Sequence, residues 1–61
     1  MINWIKIKKN HITYHINIRN ISYVLYNEST KCIYIYMIND KTIEIVGCTE
    51  SDLNVILKDL E

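Results

Sequence analysis

The sequence predicts an α+β fold, an antiparallel β-meander of four to five strands with one C-terminal α-helix packed on one face. Three observations predict it. Residues 2–46 fall into short runs of alternating apolar and polar side chains, separated by stretches rich in Asn, Asp and Ser. From residue 53 the apolar spacing changes to that of a helix. The composition, heavy in isoleucine with 5 Tyr, 1 Trp, no Phe and no Pro, favours half-buried pleated surface. At 61 residues the chain makes a single small domain, near the lower limit for a core that holds without disulfides, metal or self-association.

The first strand is expected over about 2–8. Ile5 and Ile7 point one way while Trp4, Lys6 and Lys8 point the other. Lys9-Asn10 is read as the tight turn, because Asn tolerates the left-handed conformation that hairpins require. The second strand, about 11–18, sets Ile12, Tyr14, Ile16 and Ile18 on one face and His11, Thr13, His15 and Asn17 on the other. At Arg19-Asn20 the alternation slips by one residue, so a turn or bulge belongs there. A third strand over about 21–27 follows, then a loop at Asn27–Thr30.

The fourth strand, about 31–38, is apolar on both faces, with Ile33, Ile35 and Met37 on one and Cys32, Tyr34, Tyr36 and Ile38 on the other. Such strands are normally covered on both sides. The fifth strand spans about 41–46. A two-residue loop at Asn39-Asp40 would pair Tyr36 with Ile43 and Tyr34 with Ile45; a three-residue loop would group Ile33, Ile35 and Met37 with Ile43 and Ile45. Both registers are open to the sequence. Gly47 provides positive φ where strand turns into helix. The helix, about 50–61, has Thr49 as N-cap with Asp52 completing a capping-box-like pattern, and Leu53, Ile56, Leu57 and Leu60 form its apolar stripe.

A helix of this length covers one sheet face only, about 18 Å long. An apolar or aromatic face is therefore expected to remain, with Trp4, Tyr34, Tyr36 and Ile38 as its interaction residues and Tyr23 or Tyr26 beside them. The cover expected on general grounds is a second copy of the chain, since most soluble oligomers are symmetric homo-oligomers.

Formal net charge is +0, but unevenly placed. Lys6, Lys8, Lys9 and Arg19 occupy the first 27 residues with no carboxylate, whereas Asp40, Glu44, Glu50, Asp52, Asp59 and Glu61 crowd the end. Lys6, Lys8, Lys9, His15 and Arg19, with Trp4 interleaved, are the candidate contacts for nucleic acid or another anion. Neither catalytic nor metal residues emerge. His11 and His15 stand about 13 Å apart along a strand, and the 2 Cys, Cys32 and Cys48, show no ligand or disulfide spacing. No cofactor is implied and an enzyme is not expected. The short apolar opening is met at once by Lys8 and Lys9, which reads as no signal peptide, and no apolar run approaches a membrane span. A cytoplasmic chain with reduced thiols is the expectation.

The run Ile16–Val24, followed by Ile33–Asn39, Asp40-Lys41, Ile43–Ile45 and Thr49–Leu60, resembles small bacterial β-meander-plus-helix proteins, among them the FlbD-type proteins of flagellar operons. Asp40 stands where that pattern has glycine. The resemblance implies the meander and its helix and carries no active-site chemistry. Small size, missing catalytic residues and a surplus apolar face together point to a non-enzymatic binding protein. With its Ile/Asn/Lys/Tyr bias, the chain fits a phage or mobile-element product, in its concrete form an inhibitor of a host defence complex. A nucleic-acid or nucleotide-binding module built on the first two strands is the alternative.

Overall fold

The computed structural model describes residues 4–60; the expected first-strand start at Ile2 and helix end at Glu61 lie outside them. Five antiparallel strands and one C-terminal helix follow in the order β1 Trp4–Lys9, β2 Ile12–Asn17, β3 Ile21–Asn27, β4 Cys32–Met37, β5 Thr42–Ile45 and α1 Glu50–Leu60. The meander does not form one sheet. It divides into a β1–β2 ribbon and a three-stranded sheet ordered β3-β4-β5. The division falls at a single 3-10 turn, Ile18–Asn20, where the Asn17 side chain accepts a hydrogen bond from the Arg19 amide at 3.0 Å. Ile18, expected at the end of the second strand, belongs to this turn.

The first hairpin turns one residue later than Lys9-Asn10. Lys9 stays in β1 opposite Ile12, and the loop is Asn10-His11, with φ of 55° and 66°. Two consecutive positive φ values define a type I′ turn, whose twist matches that of the strands it joins. His11 is thus a turn residue and not part of the second strand. The Asn10 side-chain amide donates through Nδ2 to the Val46 carbonyl at 3.0 Å, clasping this hairpin to the connection between β5 and α1.

Between Ile21 and Tyr23 the β3–β4 register shifts, leaving Ser22 as a bulge. One extra residue reverses the sides on which the following residues fall. Val24 and Tyr26 therefore pack toward the core, while Tyr23 and Leu25 face outward. Asn27 then turns the chain, its side-chain oxygen accepting from the Ser29 and Thr30 amides at 3.0 and 3.3 Å, and Lys31 takes a left-handed φ of 58° before β4.

The β4–β5 loop has three residues, Ile38-Asn39-Asp40. Met37 donates to the Lys41 carbonyl at 2.8 Å, Asp40 donates to the Met37 carbonyl at 3.2 Å, and Asp40 has φ 67°. A type I turn closed by a left-handed residue is the usual three-residue hairpin. Its register places Ile33 opposite Ile45 and Ile35 opposite Ile43, with Tyr34 opposite Glu44 and Tyr36 opposite Thr42. Apolar and polar side chains thereby separate between the two faces.

The core lies on the isoleucine face of the three-stranded sheet. Ile33, Ile35 and Ile45 are fully buried, and Ile5, Ile16, Cys48 and Ile56 close over them from the ribbon, the β5–α1 connection and the helix. The cover is thus shared: the ribbon folds back beside α1, which approaches β1 more closely than any other strand. At roughly 0.05–0.15 kcal/mol per residue, a domain of this size has on the order of 3–9 kcal/mol of stability. One buried Ile→Ala change costs about 2–5 kcal/mol, so these isoleucines decide whether the chain folds.

The helix begins at a reciprocal cap. Asp52 accepts from the Thr49 amide at 2.9 Å, and the Thr49 hydroxyl accepts from the Asp52 amide at 3.3 Å. Leu53, Ile56 and Leu60 face the core, while Leu57, at the edge of the stripe, is 41 % exposed. Gly47 takes φ +70°, the left-handed conformation expected of it. No helix among the described residues is long and apolar enough to cross a membrane.

Candidate functional site

The outer face of β3–β4–β5 is the feature that packing inside the chain leaves over. Alternation from the buried Ile33 and Ile35 turns Tyr34 and Tyr36 outward, and the Ser22 bulge brings Tyr23 and Leu25 to the same side. Tyr23 and Tyr36, direct cross-strand partners, stack with ring centroids 4.3 Å apart and planes 15° from parallel. Leu25 lies across from Tyr34. Tyr23 is 53 % and Leu25 43 % exposed. Large rigid rings with a polar tip lose little conformational entropy when a partner covers them, which suits a binding surface.

Charge on this face is sparse. Glu44, opposite Tyr34, holds the Tyr34 phenol above its ordinary range, chiefly by accepting its hydrogen bond and then through partial burial of the ring. Nothing here arranges a nucleophile against a base, and no three His, Cys, Asp or Glu side chains converge as metal donors among the described residues. What the face can do is bury itself against another surface.

The candidates separate. Tyr34 and Tyr36 lie together on the outer face, and Ile38, 64 % exposed, tips the β4–β5 loop. Trp4 is also exposed, but alternates with buried Ile5 and so sits on the outward face of the other sheet. Tyr26 turns inward, its hydroxyl donating to the Cys48 carbonyl at 3.2 Å. Leu25, two residues from Tyr23 and on the same side of β3, joins the face although it was not among the expected interaction residues.

The basic set divides as well. Lys6, Lys8 and His15 occupy the outward face of the β1–β2 ribbon with Trp4, and Arg19 lies on the 3-10 turn. Lys9, in phase with Ile5 and Ile7, reaches instead to Asp52 on the helix, with Nζ and Oδ2 3.0 Å apart. The hydrogen bond to Asp52 raises the Lys9 pKa, and the Thr49 amide and Lys9 together lower that of Asp52. Cys32 and Cys48 are free and buried. Burial is the main cause that pushes the Cys48 thiol up, and its Sγ donates to the Ile45 carbonyl at 3.4 Å.

Set against protein-family models, curated proteins and solved structures, the chain finds no match in any of the three.

Proposed function

We propose that this chain is a non-enzymatic binding protein that works through the tyrosine face of β3–β4–β5, first of all against a second copy of itself. The observation that carries the reading is the stacked Tyr23–Tyr36 pair with Leu25 beside it, a rigid apolar surface left bare after the ribbon and helix have covered the other side. Among the described residues Glu44 is the one carboxylate on it, already beside Tyr34, so the surface does not demand a charged partner. A low-charge face is compatible with its own copy across a two-fold axis.

Its size sets the strength. Three strands spaced about 4.8 Å apart and about six residues long present roughly 300 Å² in projection. A stable complex buries about 800 Å² per partner. This face alone therefore falls short of a standard interface. A larger partner that also takes up Ile38 at the loop tip would bind more tightly. In its concrete form the proposed partner is a host defence complex, inhibited by a phage or mobile-element product; small size, compositional bias and lack of catalytic constellation support that form.

Sedimentation velocity across a concentration series tests the reading. The native chain is expected to shift from monomer to dimer as concentration rises, and Leu25→Glu, which places a carboxylate at the face, is expected to stay monomeric while remaining folded. A native chain that is monomeric throughout, or a dimer indifferent to Leu25→Glu, overturns it. Co-expression with a defence system, scored by phage plaquing, tests the inhibitor form, which requires Leu25→Glu to lose the effect.

A further inference from the structure

We infer that the outward face of the β1–β2 ribbon is a second binding surface, for single-stranded nucleic acid. Its ladder is Trp4 opposite Asn17, Lys6 opposite His15 and Lys8 opposite Thr13. Every rung offers a ring, a cation or a hydrogen-bonding group, and no carboxylate stands on either strand. Lys9, on the opposite side of β1, pairs with Asp52, and that is the one ion pair among the described residues, so Lys6 and Lys8 have no ion-pair partner. Lys6 and Lys8 also border the cleft between β1 and α1, which Asp52 and Asp59 line from the helix, and neither lysine pairs with either carboxylate.

The tryptophan decides the class of polyanion. Lysines alone on a strand also serve to block sheet-to-sheet pairing, a role that has no use for a bare indole. Trp4 is 57 % exposed, on the same face as Lys6 and Lys8, and about 13 Å of strand separates it from Lys8. Cations that track phosphates beside a ring on which a base stacks are the working parts of single-strand binding. A duplex keeps its bases stacked on one another and offers the indole no such contact. This surface belongs to the other sheet from the tyrosine face, so it stands whether or not the chain self-associates.

Trp4 is the sole tryptophan and reports on its own site. Titration with short oligothymidylate and oligouridylate at low salt is expected to quench its emission saturably, and a duplex of equal length is expected to bind more weakly. Affinity should fall with salt, by about 0.7 in log–log slope for each phosphate engaged. Lys6→Ala with Lys8→Ala should flatten that slope by roughly 1.4, and Lys6→Arg with Lys8→Arg should restore it. Trp4→Ala, followed by anisotropy of a labelled oligonucleotide, should weaken binding on the order of tenfold. All these positions are exposed, and circular dichroism verifies that each variant is folded. Absence of saturable quenching overturns the inference, as do an unchanged salt slope in the double alanine variant and tighter binding of duplex. Heparin binding as tight as that of the oligonucleotides, with no loss in Trp4→Ala, overturns it in favour of a non-specific polyanion surface.

Discussion

Gly47→Ala and His11→Gly form a reciprocal pair that tests the clasp holding the ribbon over the isoleucine face. Gly47 has φ +70°, and a Cβ there would meet only the side-chain amide of Asn10, at 3.8 and 4.0 Å, ordinary van der Waals distances. The substitution therefore adds no clash and isolates a conformational cost. Holding an L-residue in the left-handed region costs about 1–2 kcal/mol. The smaller entropy of alanine in the unfolded chain offsets about 0.4–1 kcal/mol of that. The net loss is about 1 kcal/mol. In a domain of this size each 1 kcal/mol moves Tm by about 4–8 °C, so Gly47→Ala should melt lower by that amount. His11, at φ 66° in the second central position of the type I′ turn, carries the opposite mismatch. His11→Gly should raise Tm by a similar interval. Thermal and urea unfolding measure both. An unchanged Gly47→Ala would mean that the connection relaxes out of the left-handed region. A loss beyond about 3 kcal/mol would mean close packing at a position that is open. A lower Tm in His11→Gly would show that the imidazole stabilises the turn.

The remaining predictions concern the helix cap and the thiols. Because the Asp52 pKa lies below its ordinary 3.8, its contribution to stability is complete above that value and is lost as pH falls through the depressed folded pKa. Acid unfolding should accordingly begin at higher pH in Thr49→Ala, which removes the cap hydroxyl at a cost of about 1 kcal/mol, and Asp52→Asn should flatten the acid limb; an acid limb identical in all three chains would refute the role given to Asp52. Cys32 and Cys48, both buried, and Cys48 with its thiol pKa raised, should resist a thiol-specific reagent in the native state and react fully in denaturant. Rapid labelling of either in the folded chain would contradict their placement.

Much of the architecture was legible because it is local. Alternation marked each strand to within a residue or two, and the Thr49/Asp52 pair marked the helix start, since both signals need only near neighbours. The first hairpin was misplaced by one residue, because Lys9-Asn10 and Asn10-His11 both contain the asparagine that a type I′ turn accepts. Of the interaction residues, Tyr34 and Tyr36 followed from the two-faced β4. Of Tyr23 and Tyr26, both open as neighbours of that face, the unpaired Ser22 selects Tyr23, with Leu25 on the same side, and turns Tyr26 inward. Among the cations, Lys9 was expected in the turn with Lys6 and Lys8 beside it; its place in β1, in phase with Ile5 and Ile7, sends it to Asp52 instead.

The sequence by itself determined a meander of four to five strands closed by a helix, and that β4 would need covering on both sides, because side-chain alternation and apolar content are properties of short segments. Only the tertiary structure decided how that cover is divided. The 3-10 turn at Ile18–Asn20 breaks the meander in two, which lets the β1–β2 ribbon fold back and share the isoleucine face with α1. The three-residue loop at Ile38–Asp40 then chose the register that sets Ile43 and Ile45 beside Ile35 and Ile33 and leaves Thr42 and Glu44 beside Tyr36 and Tyr34. Both choices depend on which distant surfaces exclude water when the chain closes, an energy that no local pattern contains.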